Sequence, residues 1–138
     1  MKEYNEYEDK LVSFDIAVLA DQLDYKNETN GYDVECFTCS DDTKTIFDSY
    51  SGLIGDGEHF LCHRPTLTGL QKWIRKKYSI HIWLEMNRNL NPVIWNLRAI
   101  SHDRNLLNLQ LWSEDYEETL SEGIKRVLEI LVKEKDNN

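Results

Sequence analysis

The chain has 138 residues, 41% apolar and 30% charged, with a formal net charge of −9. That length points to one domain with a real core, and four tryptophans alongside that apolar share exclude general disorder. The acidic balance disfavours nonspecific binding of nucleic acid by the chain as a whole.

The charge is unevenly spread. Residues 1–48 carry 4 Lys+Arg against 13 Asp+Glu, residues 49–112 carry 8 against 4, and residues 113–138 carry 4 against 8. An acidic front and back therefore enclose a mildly basic middle. The N-terminal MKEYNEYEDK is acidic and has no apolar stretch of signal-peptide length. The longest apolar runs are too short to span a bilayer. Three cysteines are an odd number, which speaks against a full disulfide framework. These features predict a cytoplasmic protein with reduced thiols and no membrane association.

Residues 1–12 read as an acidic, flexible leader and residues 13–135 as a single α+β domain. Ser13 is positioned to cap a helix from Phe14 to about Asp24, with Ile16, Leu19, Ala20 and Leu23 as its apolar stripe. Residues 26–31 have loop composition. Residues 32–39 and 44–50 read as strands joined by Ser40-Asp41-Asp42-Thr43, whose turn chemistry predicts a hairpin. Residues 51–58 hold Gly52, Gly55 and Gly57 and read as a loop. A lone Gly-x-Gly outside a strand-to-helix context makes no phosphate cradle.

The chain is organised around residues 63–86, a helix running almost directly into a strand. Pro65-Thr66 is a start signal, and Thr68 with Gln71 three residues later is an alternative cap. Leu67, Leu70, Ile74 and Tyr78 lie on one stripe at about 100° per residue, flanked by Trp73, while Lys72, Arg75 and Lys76 take the far side. The apolar period then drops from about 3.6 to 2. Ile80, Ile82, Leu84 and Met86 face one way, and His81, Trp83 and Glu85 the other. Residues 87–92 make a turn. Residues 93–100 form a strand with Val93, Trp95, Leu97 and Ala99 on one face. Residues 101–105 make a second turn, and residues 106–112 form a strand with Leu107, Leu109 and Leu111 inward. Short connections make these three strands an antiparallel meander. Ser113 reads as the cap of a last helix over about 114–134, with acids in its first turn, lysines at its end and Gly123 on its buried stripe. The order α-β-β-α-β-β-β-α predicts a two-layer α+β domain, a mainly antiparallel sheet with helices packed on one face. Leu70, Ile74, Ile82, Leu84, Leu109, Leu120, Val127 and Leu131 should meet in one core.

Pro65-Thr66, then Leu70-Gln71-Lys72-Trp73-Ile74-Arg75, then Ile80-His81-Ile82 resemble a family of small uncharacterised proteins of Bacteroides-type gut bacteria and their phages and prophages. Residues 13–17 and 116–120 resemble the same family, while residues 1–12 and 36–62 do not take part. The resemblance implies a phage or mobile-element setting. The family has no assigned activity, so no catalytic residue carries over.

Four features could carry chemistry. Cys36 and Cys39, with His59, Cys62 and His63, have the ligand types of a zinc site. Against this, residues 36 and 39 of a strand face opposite ways, and no glycine follows Cys39 to form a knuckle; buried free cysteines account for the pattern as well. A nucleophilic pairing of Cys62 with His59 or His63 lacks an orienting acid. Glu85 beside His81 and Trp83 could act as an acid, or could simply belong to a polar face. With no constellation complete, no enzyme, metal or cofactor is expected. The basic helix over 70–78 is the third feature. Lys72, Trp73, Arg75, Lys76 and Lys77 could stack on bases and neutralise phosphates, or could be a solvated helix face. Fourth, Trp83 and Trp95 on strand faces could form a partner or homodimer surface, or a core layer beneath a helix. The expectation is a non-enzymatic binding or accessory module acting through protein contacts, with nucleic-acid association as the alternative.

Overall fold

The computed structural model describes residues 10–26, 35–102 and 109–137. Among these residues lie three helices and two three-stranded antiparallel sheets, an α+β architecture as the periodicities predict. In chain order the elements are α1 (Phe14–Gln22), β1 (Glu35–Ser40), β2 (Ile46–Tyr50), β3 (Glu58–His63), α2 (Leu67–Tyr78), β4 (Ile80–Asn87), β5 (Ile94–Ser101), β6 (Trp112–Ser113) and α3 (Tyr116–Asp136). One strand, β3, is additional to the expected order. The strands also divide into two sheets, ordered β2-β1-β3 and β4-β5-β6. Most of the loop expected over 26–31, the start of the strand expected over 32–39, and Leu107 lie outside the described residues.

β1 and β2 form the predicted hairpin. The Ser40 amide donates to the Thr45 carbonyl at 2.9 Å, and Lys44 adopts the left-handed backbone (φ 59°) that tightens the turn. On its other side β1 pairs with β3, and a bulge shifts the register between Phe37 and Thr38. Residues 10–12, expected to belong to a flexible leader, are tied into the fold. Val12 N–H donates to Pro65 O at 3.0 Å, Leu67 N–H donates to Lys10 O at 2.8 Å, and Arg64 Nε donates to Val12 O at 2.8 Å. Val12 itself is buried in the core.

The core is continuous from Val12 to Leu131 and draws on both sheets and all three helices. Six of the eight residues predicted to meet there are buried in it: Leu70, Ile74, Ile82, Leu120, Val127 and Leu131. Leu84 and Leu109 pack against it from its rim. α3 lies across β4 and β5 and touches α1 and α2, while α1 rests on β3. A short connection leaves α2 no choice but to fold back on its own strand. Ser79, in the left-handed conformation (φ 56°), is the single residue between them.

Two helix caps differ from expectation. The Ser13 hydroxyl donates to the Asp15 carboxylate and caps no amide of α1. α3 is capped by Asp115, whose carboxylate accepts from Glu118 N–H at 2.8 Å. Ser113 instead accepts from the Asp115 amide at 3.1 Å and shares a 2.7 Å hydroxyl contact with Thr119, bracing the entry to the helix. A carboxylate at the N-cap also complements the positive end of the helix dipole.

Candidate interaction surfaces

The basic helix is set by its cap and its apolar stripe. Thr66 is the N-cap, its hydroxyl accepting from Gly69 N–H at 3.1 Å. The Gln71 side chain is spent elsewhere: its amide donates to the Ile82 carbonyl on β4. Burial of Leu67, Leu70 and Ile74 then fixes the rotation of α2. Two of the five residues expected to meet phosphates and bases have structural partners. Trp73 is half-buried, edge-to-face with Tyr25 (5.2 Å) and Tyr78 (5.7 Å). Lys77 Nζ donates to Leu23 O at 2.8 Å, where α1 ends, and lies 5.0 Å from the centre of the Trp73 ring. A helix end leaves carbonyls without intrahelical donors, so a cation there meets both a need and a dipole. Lys72, Arg75 and Lys76 remain exposed, and none makes an ion pair with a described residue.

The cysteine and histidine residues of the first sheet fall into pairs. Cys36 lies opposite His63, Cys39 opposite His59, and Cys62 opposite Phe37. Alternation along a strand turns Cys62 and Phe37 to the core while Cys36 and His63 face the other side. His59 Nδ1 is 2.8 Å from the Asp41 carboxylate. Among the described residues no group of three or more His, Cys, Asp or Glu side chains is arranged to hold a metal ion. Burial pushes the Cys62 thiol up to about 11, helped by the negative charges of Asp21 and Cys36, and raises Cys36 as well, with Glu35 adding to the effect. Burial also lowers the basicity of His63, against the pull of Asp21. A thiol held protonated beside a neutral imidazole is a poor nucleophile.

The same face holds a row Phe47–Thr38–Phe60 across β2, β1 and β3. Thr38 is fully buried between two half-exposed phenylalanines, and among the described residues its hydroxyl has no hydrogen-bond partner; neither has His63 Nδ1. A buried polar group left this way costs about 1–3 kcal/mol.

The second sheet presents the largest exposed aromatics. β4 and β5 pair in register from Ile80 with Ser101 to Asn87 with Ile94, and Asn96 pairs with Trp112 of β6. Ile80, Ile82, Leu97 and Ala99 turn to the core, so the residues between them face outward. Trp83 is 40% exposed, Ile100 57% and Trp112 64%. Glu85 sits among them but is neutralised. Arg98 Nε contacts its carboxylate at 3.2 Å and Trp83 Nε1 donates to it at 3.3 Å. The Arg98 guanidinium, first, and the Trp83 indole then hold the Glu85 carboxyl below its usual range, which suits an ionised partner and opposes a general acid. A cleft of about 320 Å³ opens on β5 and β6, lined in part by Asn96, Arg98, Gln110 and Trp112.

Trp95, expected on a partner surface, is half-buried, its ring edge-on to Tyr116 of α3 at 5.0 Å. Trp112 and Ile100 take the outward places instead. Alternation carried their signal. With Leu109 and Leu111 inward, Trp112 must point out, as must Ile100 beside Ala99.

No helix among the described residues is long and apolar enough to cross a membrane. A scan against protein-family models finds no match, and neither the curated proteins nor the solved structures searched contain a match to the chain.

Proposed function

We propose that this protein is a non-enzymatic accessory module of a phage or mobile element that works by protein contacts, first of all with a second copy of itself through the outward face of the β4-β5-β6 sheet. The observation that carries this is that Trp83, Ile100 and Trp112, one on each strand, share the outward face of a single sheet, all more than a third exposed. Large aromatics near an interface centre are the residues that most often hold complexes together. The face is also free of net acid, because Glu85 is matched by Arg98. In a chain of net charge −9, two copies meet there with least repulsion. The setting rests on the resemblance of residues 65–82 to phage and prophage proteins, and the non-enzymatic character on thiols that burial keeps protonated and an acid held ionised.

Sedimentation velocity over a concentration series tests it. The wild-type chain is expected to pass from monomer to dimer, and Trp83→Ser with Trp112→Ser to stay monomeric with an unchanged circular-dichroism spectrum. A wild-type chain that remains a monomer at every concentration refutes the self-association.

A further inference from the structure

A second surface lies on the opposite flank of β4, and its chemistry differs. In an antiparallel ladder, a residue's N–H and C=O point the same way, and successive residues alternate. Leu97 N–H donates to Leu111 O at 2.9 Å, away from β4. Its cross-strand partner Leu84 must therefore turn both backbone groups away from β5, to the open edge of the sheet, as must Ile80, Ile82 and Met86. The Ile82 carbonyl confirms the phase independently, since it accepts from Gln71 of α2 rather than from β5. Gln71 thus covers the edge at Ile82. At Leu84 and Met86 the edge groups have no hydrogen-bond partner among the described residues. An uncovered strand edge of this kind is a template for another extended chain.

Beside that edge runs α2, four cations and no acid in twelve residues, within a chain that is otherwise strongly acidic. Because α2 folds back on β4, Arg75, one turn beyond Gln71, lies toward the Ile80 end of the strand, with Lys72 and Lys76 on the solvent side. All three lack ion pairs with described residues, whereas Lys125, Arg64, Arg98 and Arg126 each have one. An extended occupant paired at Leu84 and Met86 would reach these charges where it continues past Gln71 toward the Ile80 end of β4.

We infer that the open edge of β4 and the cationic side of α2 together accept an extended acidic polypeptide segment, added as a strand with its carboxylates toward Lys72, Arg75 and Lys76. A polypeptide fits better than a nucleic acid. It alone can continue the ladder at Leu84 and Met86. The helix aromatic that could have stacked bases, Trp73, is packed against Tyr25 and Tyr78.

The test is fluorescence anisotropy on the full chain with a labelled peptide of about eight residues alternating Glu and Val. Three comparison probes accompany it: the same peptide with Gln for Glu, the acidic peptide N-methylated at alternate amides in either phase, and a single-stranded oligonucleotide of equal charge. The acidic peptide is expected to bind, about tenfold or more tighter than its Gln counterpart at low salt, and to weaken steeply with added salt. One phase of N-methylation should weaken it by about tenfold, since it removes the donors that pair with the edge. Lys72→Gln with Arg75→Gln and Lys76→Gln, all exposed positions, should abolish the preference for Glu. Equal binding of the Gln peptide, equal binding of both N-methylated peptides, tighter binding of the oligonucleotide, or no binding of the acidic peptide would each overturn the inference. Trp112→Ser, two strands away, should leave peptide binding unchanged, so this surface and the self-association face can fail separately.

Discussion

At the scale of single residues, two positions make sharp predictions. Gly123 of α3 lies against β5 so closely that a Cβ there would stand 2.5 Å from both terminal methyl carbons of Leu97, which is itself buried. The glycine on the buried stripe of α3 was readable in sequence; the leucine it admits was not, because nothing local says which strand passes beneath. Gly→Ala gains about 0.5–1 kcal/mol in a helix interior, but overpacking costs about 1–3 kcal/mol, so Gly123→Ala should destabilise by about 1 kcal/mol in urea unfolding. Leu97→Ala combined with Gly123→Ala should then cost less than the sum of the two single changes; strict additivity would show that the two do not compete for space. His63 predicts a pH dependence. Burial lowers its folded-state affinity for protons below that of a free histidine at 6.5, so the unfolded chain binds the extra proton first. Stability is therefore unaffected by this group above about pH 6.5 and falls as pH drops from there through the lower folded-state value. His63→Gln should flatten the pH 5–7 part of the stability curve, measured by urea midpoints. An unchanged slope would mean His63 takes up its proton equally in both states.

At the scale of elements, the helices were legible because each repeats its apolar side chains at a period near 3.6 over several turns. The rotation of α2 follows from that pattern alone, and it has a direct consequence. Ile74 is fully buried, so Ile74→Ala should cost about 2–5 kcal/mol, whereas Lys76→Ala on the exposed side should cost less than about 0.5 kcal/mol. Lys77→Ala should fall between them at about 1 kcal/mol, because its ammonium holds the Leu23 carbonyl at the end of α1. Equal losses at 74 and 76 in urea titrations would contradict the packing of α2. The strands of the first sheet were harder to read. β1 is buried on both faces from Cys36 to Cys39 and so shows no alternation. β3 follows the glycine-bearing stretch 51–57, and the bulge opposite Phe37 and Thr38 breaks its period of 2. Of its six residues, Glu58 falls in the expected loop, His63 at the start of the 63–86 stretch, and the four between them carry no strand signal.

At the scale of the whole molecule, charge sorts the two proposed surfaces. What was legible in sequence was that a basic middle lies between acidic ends; which basic residues stay free was not, since Lys77 finds its partner 54 positions away at Leu23. Nor does local pattern say that Glu85 and Arg98, 13 positions apart, cancel beneath Trp83. The result is one face that is aromatic and neutral and another that is cationic and open-edged. Two copies of a chain of net charge −9 repel at long range whatever their contact surface holds. Salt shortens that repulsion to about 10 Å at 0.1 M and about 3 Å at 1 M, while apolar burial at Trp83, Ile100 and Trp112 is not screened. Dimerisation through the neutral face should therefore strengthen between about 50 and 500 mM salt, in the opposite sense to acidic-peptide binding at α2. Sedimentation equilibrium at the two salt concentrations measures it. A dimer that weakens with salt would have to be held by charge pairs, most simply the free cations of α2 against the acidic surface of the second copy, and the aromatic face would then have no part in it.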